Sequence, residues 1–263
     1  MDAQINGLTL AYTDEGKGTP VVFVHGFPLN RNMWAPQVQA LSRQHRVITV
    51  DLRGHGESDA PLWRYTMEQF ADDLTGVLDH LSIQQAVMAG LSMGGYILFA
   101  FYRKYATRVN ALILSDTRAQ PDTDEGRAGR FNMAQSAYTQ GSGAIADVML
   151  SKLLCPASLH TRPELVQQVR GMITAMTLGG MAGDLMGMAD RPDSVPLLST
   201  IACPTLIIVG ELDLATPPLD ARLMSEQIPG AQLKIIPGAA HLPNLEQPEA
   251  FNDAVRSFLA SIA

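Results

Sequence analysis

The sequence predicts an α/β fold: a mostly parallel, eight-stranded sheet flanked by helices, with a block of helices inserted between two of its strands. Three observations carry this. Short apolar, β-branched runs bounded by turn residues recur at positions 20–24, 47–50, 86–91, 111–114, 205–209 and 233–236, as expected of strands buried on both faces. Helix-length segments separate most of them, which demands right-handed crossovers and hence parallel pairing. Between Ser115 and Thr205 the alternation stops, and consecutive helical segments replace it.

The elements follow in order. Residues 3–13 alternate about Asn6-Gly7, a strong hairpin signal, and add two antiparallel strands at a sheet edge. A helix around residues 34–42 joins the first two parallel strands. Thr66-Met-Glu-Gln69 is a capping box, and Met67, Phe70, Ala71, Leu74, Val77, Leu78 and Leu81 continue it at helical spacing. The strand at 86–91 leads into a helix over 96–105. Helices are then expected at 123–138, 144–154 and 163–177, with a weaker glycine-rich piece at 181–189. The expected division is a core of residues 1–117 and 197–263, and a helical cap of residues 118–196. Seven of the thirteen methionines fall in that insertion, where flexible, polarizable side chains suit an adaptable apolar lining. A last helix opens at Pro248 and carries Phe251, Val255, Phe258, Leu259 and Ile262 on one face.

Composition narrows the function classes. With 263 residues, 46% hydrophobic and 17% charged, the chain is globular and long enough for a large core. A net charge of −7 argues against nucleic acid or an anionic membrane surface as partner and favours a small molecule. Cys155 and Cys203 lie in no metal-ligand spacing and are too few for a disulfide framework, so a reducing cytoplasm is the expected location. The stretch Met1-Asp-Ala-Gln-Ile-Asn-Gly7 has no basic or apolar leader character, and no apolar run approaches the ~20 residues of a membrane span.

The chemistry centres on Ser92. It lies where the strand at 86–91 becomes a helix, with Gly90 two residues before and Gly94 two residues after. A serine in so sharp a turn needs neighbours without side chains, and this G-x-S-x-G elbow leaves the hydroxyl exposed above the sheet, with the Met93 N–H opening a helix. Such a serine needs a base, itself oriented by an acid. Of six histidines, His241 follows the last strand in a loop of small residues, Gly238-Ala-Ala-His241. His25 and His55 sit in loops that their ring nitrogens are suited to fold, and His45, His80 and His160 read as surface residues. For the acid, Asp213 follows the strand at 205–209, at the carboxyl end where open α/β sheets place their sites. Asp116, after the strand at 111–114, is the rival; its alternative role is to cap the start of the insertion.

The order Ser92, Asp213, His241 is the order of the α/β-hydrolases. The chain resembles that family over nearly its whole length, through His25-Gly-Phe-Pro28, Asp51-Leu-Arg-Gly-His-Gly-Glu-Ser58, Gly90-Leu-Ser-Met-Gly-Gly95, Gly210-Glu-Leu-Asp213 and His241. Within the family it is similar to small bacterial esterases and 3-oxoadipate enol-lactonases. The resemblance implies an oxyanion hole formed by the N–H groups of Phe27 and Met93. It also implies serine hydrolysis of a carboxylic ester or lactone, with no metal or organic cofactor. A serine excludes the branches that use an aspartate nucleophile. Hydrolysis of a carbon–carbon bond in a ring-cleavage product, perhydrolysis, and a receptor role without turnover are the alternatives. The pocket is expected to draw on Trp34, Met172, Met176, Leu214 and Leu242, and a carboxylate-bearing lactone would call on Arg127, Arg130 or Arg170. The sequence leaves the oligomeric state open.

Overall fold

The computed structural model describes residues 1–262. Asn6 (φ 52°) and Gly7 (φ 79°) both take positive φ, as a two-residue type I′ turn requires. They join β1 (Asp2–Ile5) to antiparallel β2 (Leu8–Glu15). The chain continues through β3 (Pro20–Val24), α1 (Ala35–Leu41), β4 (Arg46–Val50), α2 (Met67–His80), β5 (Ala86–Leu91), α3 (Met93–Tyr105) and β6 (Val109–Ser115). After the insertion come β7 (Thr205–Gly210), α9 (Pro218–Gln227), β8 (Gln232–Ile236), α10 (Pro243–Glu246) and α11 (Pro248–Ser261). The eight strands lie in the order β1-β2-β4-β3-β5-β6-β7-β8, and all pairings from β4 through β8 are parallel. This is the α/β-hydrolase arrangement that the sequence implied. The first crossover runs from β3 to its immediate parallel neighbour β4, and the chain then returns to place β5 on the other side of β3. The carboxyl ends of β5, β6 and β7 therefore open on one edge, beside that reversal, where ligands of such sheets bind.

The insertion consists of α4 (Asp124–Leu153), α5 (Pro156–Thr161), α6 (Pro163–Ala175), α7 (Leu178–Ala189) and α8 (Val195–Leu198). The two helices expected at 123–138 and 144–154 are both present: α4 is divided at Gly141 (φ 83°, ψ 168°), a conformation that glycine alone adopts without strain. The N-cap of α4 is Thr123, whose side chain accepts from the Gly126 N–H. Asp116 does not cap the insertion.

Glycines in α7 have a packing reason. A Cβ on Gly187 would lie 1.6 Å from the Tyr65 carbonyl oxygen, and one on Gly183 would lie 2.5 Å from that of Trp63, so α7 rests directly on the backbone of the loop before α2. On the same face, Asp184 meets His55 of that core loop: Nε2 lies 2.5 Å from Oδ2, and Nδ1 lies 2.7 Å from the Leu29 carbonyl. Both side chains are fully buried. Removing one partner of such a pair leaves the other buried and unsatisfied, which is strongly destabilising. Asp184→Ala is expected to lower stability by about 3 kcal/mol, read by scanning calorimetry; a loss under about 1 kcal/mol would mean that this contact does not hold the insertion to the core.

Candidate active site

β5 and α3 place Ser92 at their junction with φ 56° and ψ −113°, a strained backbone of the kind that marks functional turns. The flanking glycines make the turn possible: a Cβ on Gly90 would fall 2.6 Å from the Gly94 carbonyl carbon, and one on Gly94 would fall 2.4 Å from the Val24 oxygen. The Ser92 N–H donates to the Ser115 carbonyl at 2.9 Å, and Thr117 Oγ1 donates to the Ser92 carbonyl at 2.8 Å. Both backbone groups of the serine are thereby fixed by the segment at the end of β6.

The loop after β3 lies against the elbow. Leu52 N–H donates to His25 Nε2 at 3.1 Å, which leaves Nδ1 to donate to the Gly26 carbonyl at 3.1 Å. Burial and then the neighbouring His55 hold His25 well below the usual histidine range, so it is a neutral, structural ring. This brace sets the backbone of Phe27. Among the described residues, neither the Phe27 nor the Met93 amide has an acceptor, and the Met93 N–H opens a thirteen-residue helix, where partial positive charge accumulates.

The loops after β7 and β8 bring Asp213 to His241. Asp213 Oδ2 lies 2.8 Å from His241 Nδ1 and accepts from Thr216 Oγ1 at 2.7 Å. Oδ1 accepts from the amides of Ala215 (2.8 Å) and Thr216 (3.1 Å). Burial opposes ionisation of Asp213, but His241 and the Thr216 donors outweigh it and hold the carboxyl below its usual range. Asp116 sits beside it, with φ 44°, accepting from the Gly210 N–H at 2.9 Å and from Ser115 Oγ at 2.6 Å. Burial and then repulsion from Asp213 push Asp116 well above the carboxylate range. Two neighbouring acids thus split into one charged and one neutral group. One atom each of Asp116, Asp213 and His241 lie within 4.8 Å of one another. A cation there would have to displace the N–H and O–H donors already bound to these oxygens, so the cluster suits a proton network better than a metal.

Ser92 and His241 line one cavity of about 110 Å³ with Phe27, Tyr96, Thr216 and, from the insertion, Arg130, Met149, Lys152, Leu153 and Met188. A larger outer chamber of about 510 Å³ shares Phe27, Arg118, Arg130, Met149 and Lys152 and adds Leu214. Several expected pocket residues lie elsewhere. Trp34 is fully buried against Phe23 and Phe251, with ring centroids 4.8 Å and 6.1 Å away; it belongs to the core. Leu242 is also a core residue, and Met172 and Met176 are buried in the packing of the insertion. Neither chamber has any of these four in its wall. Leu214 lies at the outer chamber, 87% exposed. Arg127 and Arg170 pair at the surface with Asp190 and Asp147, whereas Arg130 is in the wall, bonded to Asp122.

Sequence reasoning missed Arg118, Lys152, Thr216 and Glu246. The last ties the site together, because its carboxylate accepts from the amide of Ala240, beside His241, at 2.6 Å and from that of Cys155 in the insertion at 2.8 Å. Met149, Lys152 and Leu153 are spaced three and four residues apart, so a shared helix face was readable in the sequence.

A family model described as alpha/beta hydrolase fold matches residues 19–248. The chain is 30% identical to 3-oxoadipate enol-lactonase 2 of Acinetobacter baylyi, over 98% of this chain and 94% of that protein. Among solved structures, an esterase from Thermogutta terrifontis with malate bound is 43% identical with a TM-score of 0.96, covering 100% of this chain and 98% of that one. The enol-lactonase from Burkholderia xenovorans LB400 is 32% identical with a TM-score of 0.93, covering 99% and 100%.

Proposed function

The chain belongs to the α/β-hydrolase fold family, and from that premise we propose that it hydrolyses a carboxylic ester or lactone through a covalent acyl-enzyme on Ser92. The observation that carries this reading is one cavity holding both an elbow serine and a histidine whose Nδ1 is bonded to an ionised, buried aspartate. Ser92 Oγ attacks the carbonyl carbon while His241 Nε2 takes its proton. The tetrahedral oxyanion is received by the N–H groups of Phe27 and Met93, which have no acceptor of their own among the described residues. Asp213 fixes the Nδ1–H tautomer and stabilises the imidazolium. Collapse of the intermediate expels the alcohol or enol oxygen, which takes the proton from His241. Water then attacks the acyl-enzyme, its proton passes to His241, and the carboxylic acid leaves with Ser92 restored.

Residues 118–196 serve as a cap over this cavity, and residues 1–117 and 197–262 form the core; the last residue of the expected core, 263, lies outside the described residues. In support, one side of the cavity wall comes from α4 and α7. Esterase and enol-lactonase names among the relatives fit the same reaction. Both cysteines are free, in keeping with a reducing compartment, and no helix of the described residues is long and apolar enough to cross a membrane.

The test is a screen of p-nitrophenyl esters from acetate to decanoate, beside a set of lactones. Multiple turnovers on short esters or on lactones are expected. A single turnover followed by arrest would favour a receptor, and turnover confined to carbon–carbon or peroxide substrates would replace the ester reading.

A further inference from the structure

Residues 26–29, which carry the Phe27 N–H, form a turn closed by one backbone bond, from the Leu29 N–H to the Gly26 carbonyl at 2.9 Å. Two buried imidazoles brace it. His25, bonded to the Gly26 carbonyl and the Leu52 N–H, finds both partners within the core. His55 does not. Its ring centroid lies 4.5 Å from that of His25, and its Nδ1 donates to the Leu29 carbonyl at 2.7 Å, so the far end of the turn hangs on this ring. Among the described residues the partner of the remaining nitrogen, Nε2, is Asp184 Oδ2 at 2.5 Å, and Asp184 belongs to α7 in the insertion. Stability alone gives no reason for a carboxylate there. Asp184 is fully buried, its Oδ1 has no hydrogen-bond partner among the described residues, and apolar side chains of similar volume often match or better a buried ion pair. What the carboxylate supplies is direction: it fixes the plane of the His55 ring, and with it the place of the Leu29 carbonyl. α7 has little freedom of its own. A Cβ on Gly180 would lie 2.5 Å from the Gly54 carbonyl oxygen, so this approach, with those of Gly183 and Gly187, clamps the helix to the loop that carries His55. One turn on from Asp184, Met188 stands in the wall of the serine cavity.

We propose that Asp184 is a positioning residue for the oxyanion donor: through His55 it sets the 26–29 turn and thereby the Phe27 N–H, so the donor is in place only when the insertion is seated on the core. The helix that walls the cavity thus also aligns the machinery beneath it. The inference rests on the hydrolase reading for its kinetic consequence, but the order of the turn is measurable without turnover.

Two substitutions at one position test it. Asp184→Leu removes the partner of Nε2 at similar volume, whereas Asp184→Asn can donate from its amide to a neutral His55 and leave the Nδ1–H on the Leu29 carbonyl. On a short p-nitrophenyl ester, below the melting temperature of each variant, kcat is expected to fall about 10²-fold in Asp184→Leu with KM within about 3-fold of wild type, because a displaced oxyanion donor is lost in the transition state alone. Asp184→Asn should restore most of it. Inhibition by a trifluoromethyl ketone, whose adduct on Ser92 places an oxyanion at the same donors, should weaken by the same factor as kcat/KM; a loss of stability alone would leave that inhibition unchanged in the folded protein. Hydrogen exchange in the peptide spanning residues 24–34 should be faster in Asp184→Leu than in wild type or Asp184→Asn, with the hairpin at 3–13 unaffected. Should Asp184→Leu not fold, His55→Phe, which keeps a ring against His25 and removes both bonds, carries the same expectations. Unchanged kcat, or a loss that falls on KM, would overturn the proposal with ester hydrolysis intact. If the wild type turned over no ester, the hydrolase reading would fail by itself, and exchange in Asp184→Leu equal to wild type would then overturn the dependence of the turn on Asp184.

Discussion

Ser92→Ala should lower kcat on a short-chain ester by about 10⁶ and leave the fold unchanged, because a serine-hydrolase nucleophile acts as one unit with its base. The side chain faces the cavity, not the core, and the groups that hold the turn do not involve the hydroxyl. The Ser92 amide and carbonyl are bonded to Ser115 and Thr117, and alanine keeps both. A residual rate about 10³-fold above water is expected from binding and the oxyanion donors. Circular dichroism and the melting temperature check the fold. Turnover within about 10-fold of wild type would remove the covalent mechanism.

The next largest effect separates two aspartates that follow adjacent strands. Asp213→Asn should cost about 10⁴ in kcat, because an amide facing His241 Nδ1 favours the wrong tautomer and cannot stabilise the imidazolium. Asp116→Asn should cost less than about 10-fold, since the asparagine oxygen still accepts from the Gly210 N–H and a neutral group replaces a neutral group. Both variants are assayed on the same ester after a folding check. A large loss at Asp116 with Asp213 nearly silent would move the acid to the earlier strand.

What the sequence disclosed follows from the range of the interactions involved. The hairpin at Asn6-Gly7, the capping box at Thr66 and the glycines around Ser92 are local devices, whose geometry is set by residues a few positions apart. The pairing of Asp213 with His241 was legible because each follows a parallel strand, and such strands deliver their loops to one edge of the sheet. Trp34 was misread because its burial depends on Phe251, more than two hundred residues later. Asp116 looked like a cap by its position before the insertion, but its partner is the Gly210 amide at the end of the neighbouring strand. Met172 and Met176 have the same side-chain chemistry as Met149 and Met188, and only helix packing decides which pair meets the cavity. The break between the helices expected at 123–138 and 144–154 was legible, and it falls at Gly141, whose φ/ψ only glycine adopts without strain.

The central claim is that Ser92 becomes acylated, and the most direct measurement is covalent capture. The wild-type protein is treated with an alkyl phosphonate ester or a sulfonyl fluoride, digested and mapped by mass spectrometry, beside Ser92→Ala. The account predicts one adduct per chain, on the peptide carrying Ser92, with loss of activity in step with labelling and none in the variant. Full inactivation with the adduct on another residue, or an unlabelled Ser92 in a protein that still hydrolyses esters, would contradict it.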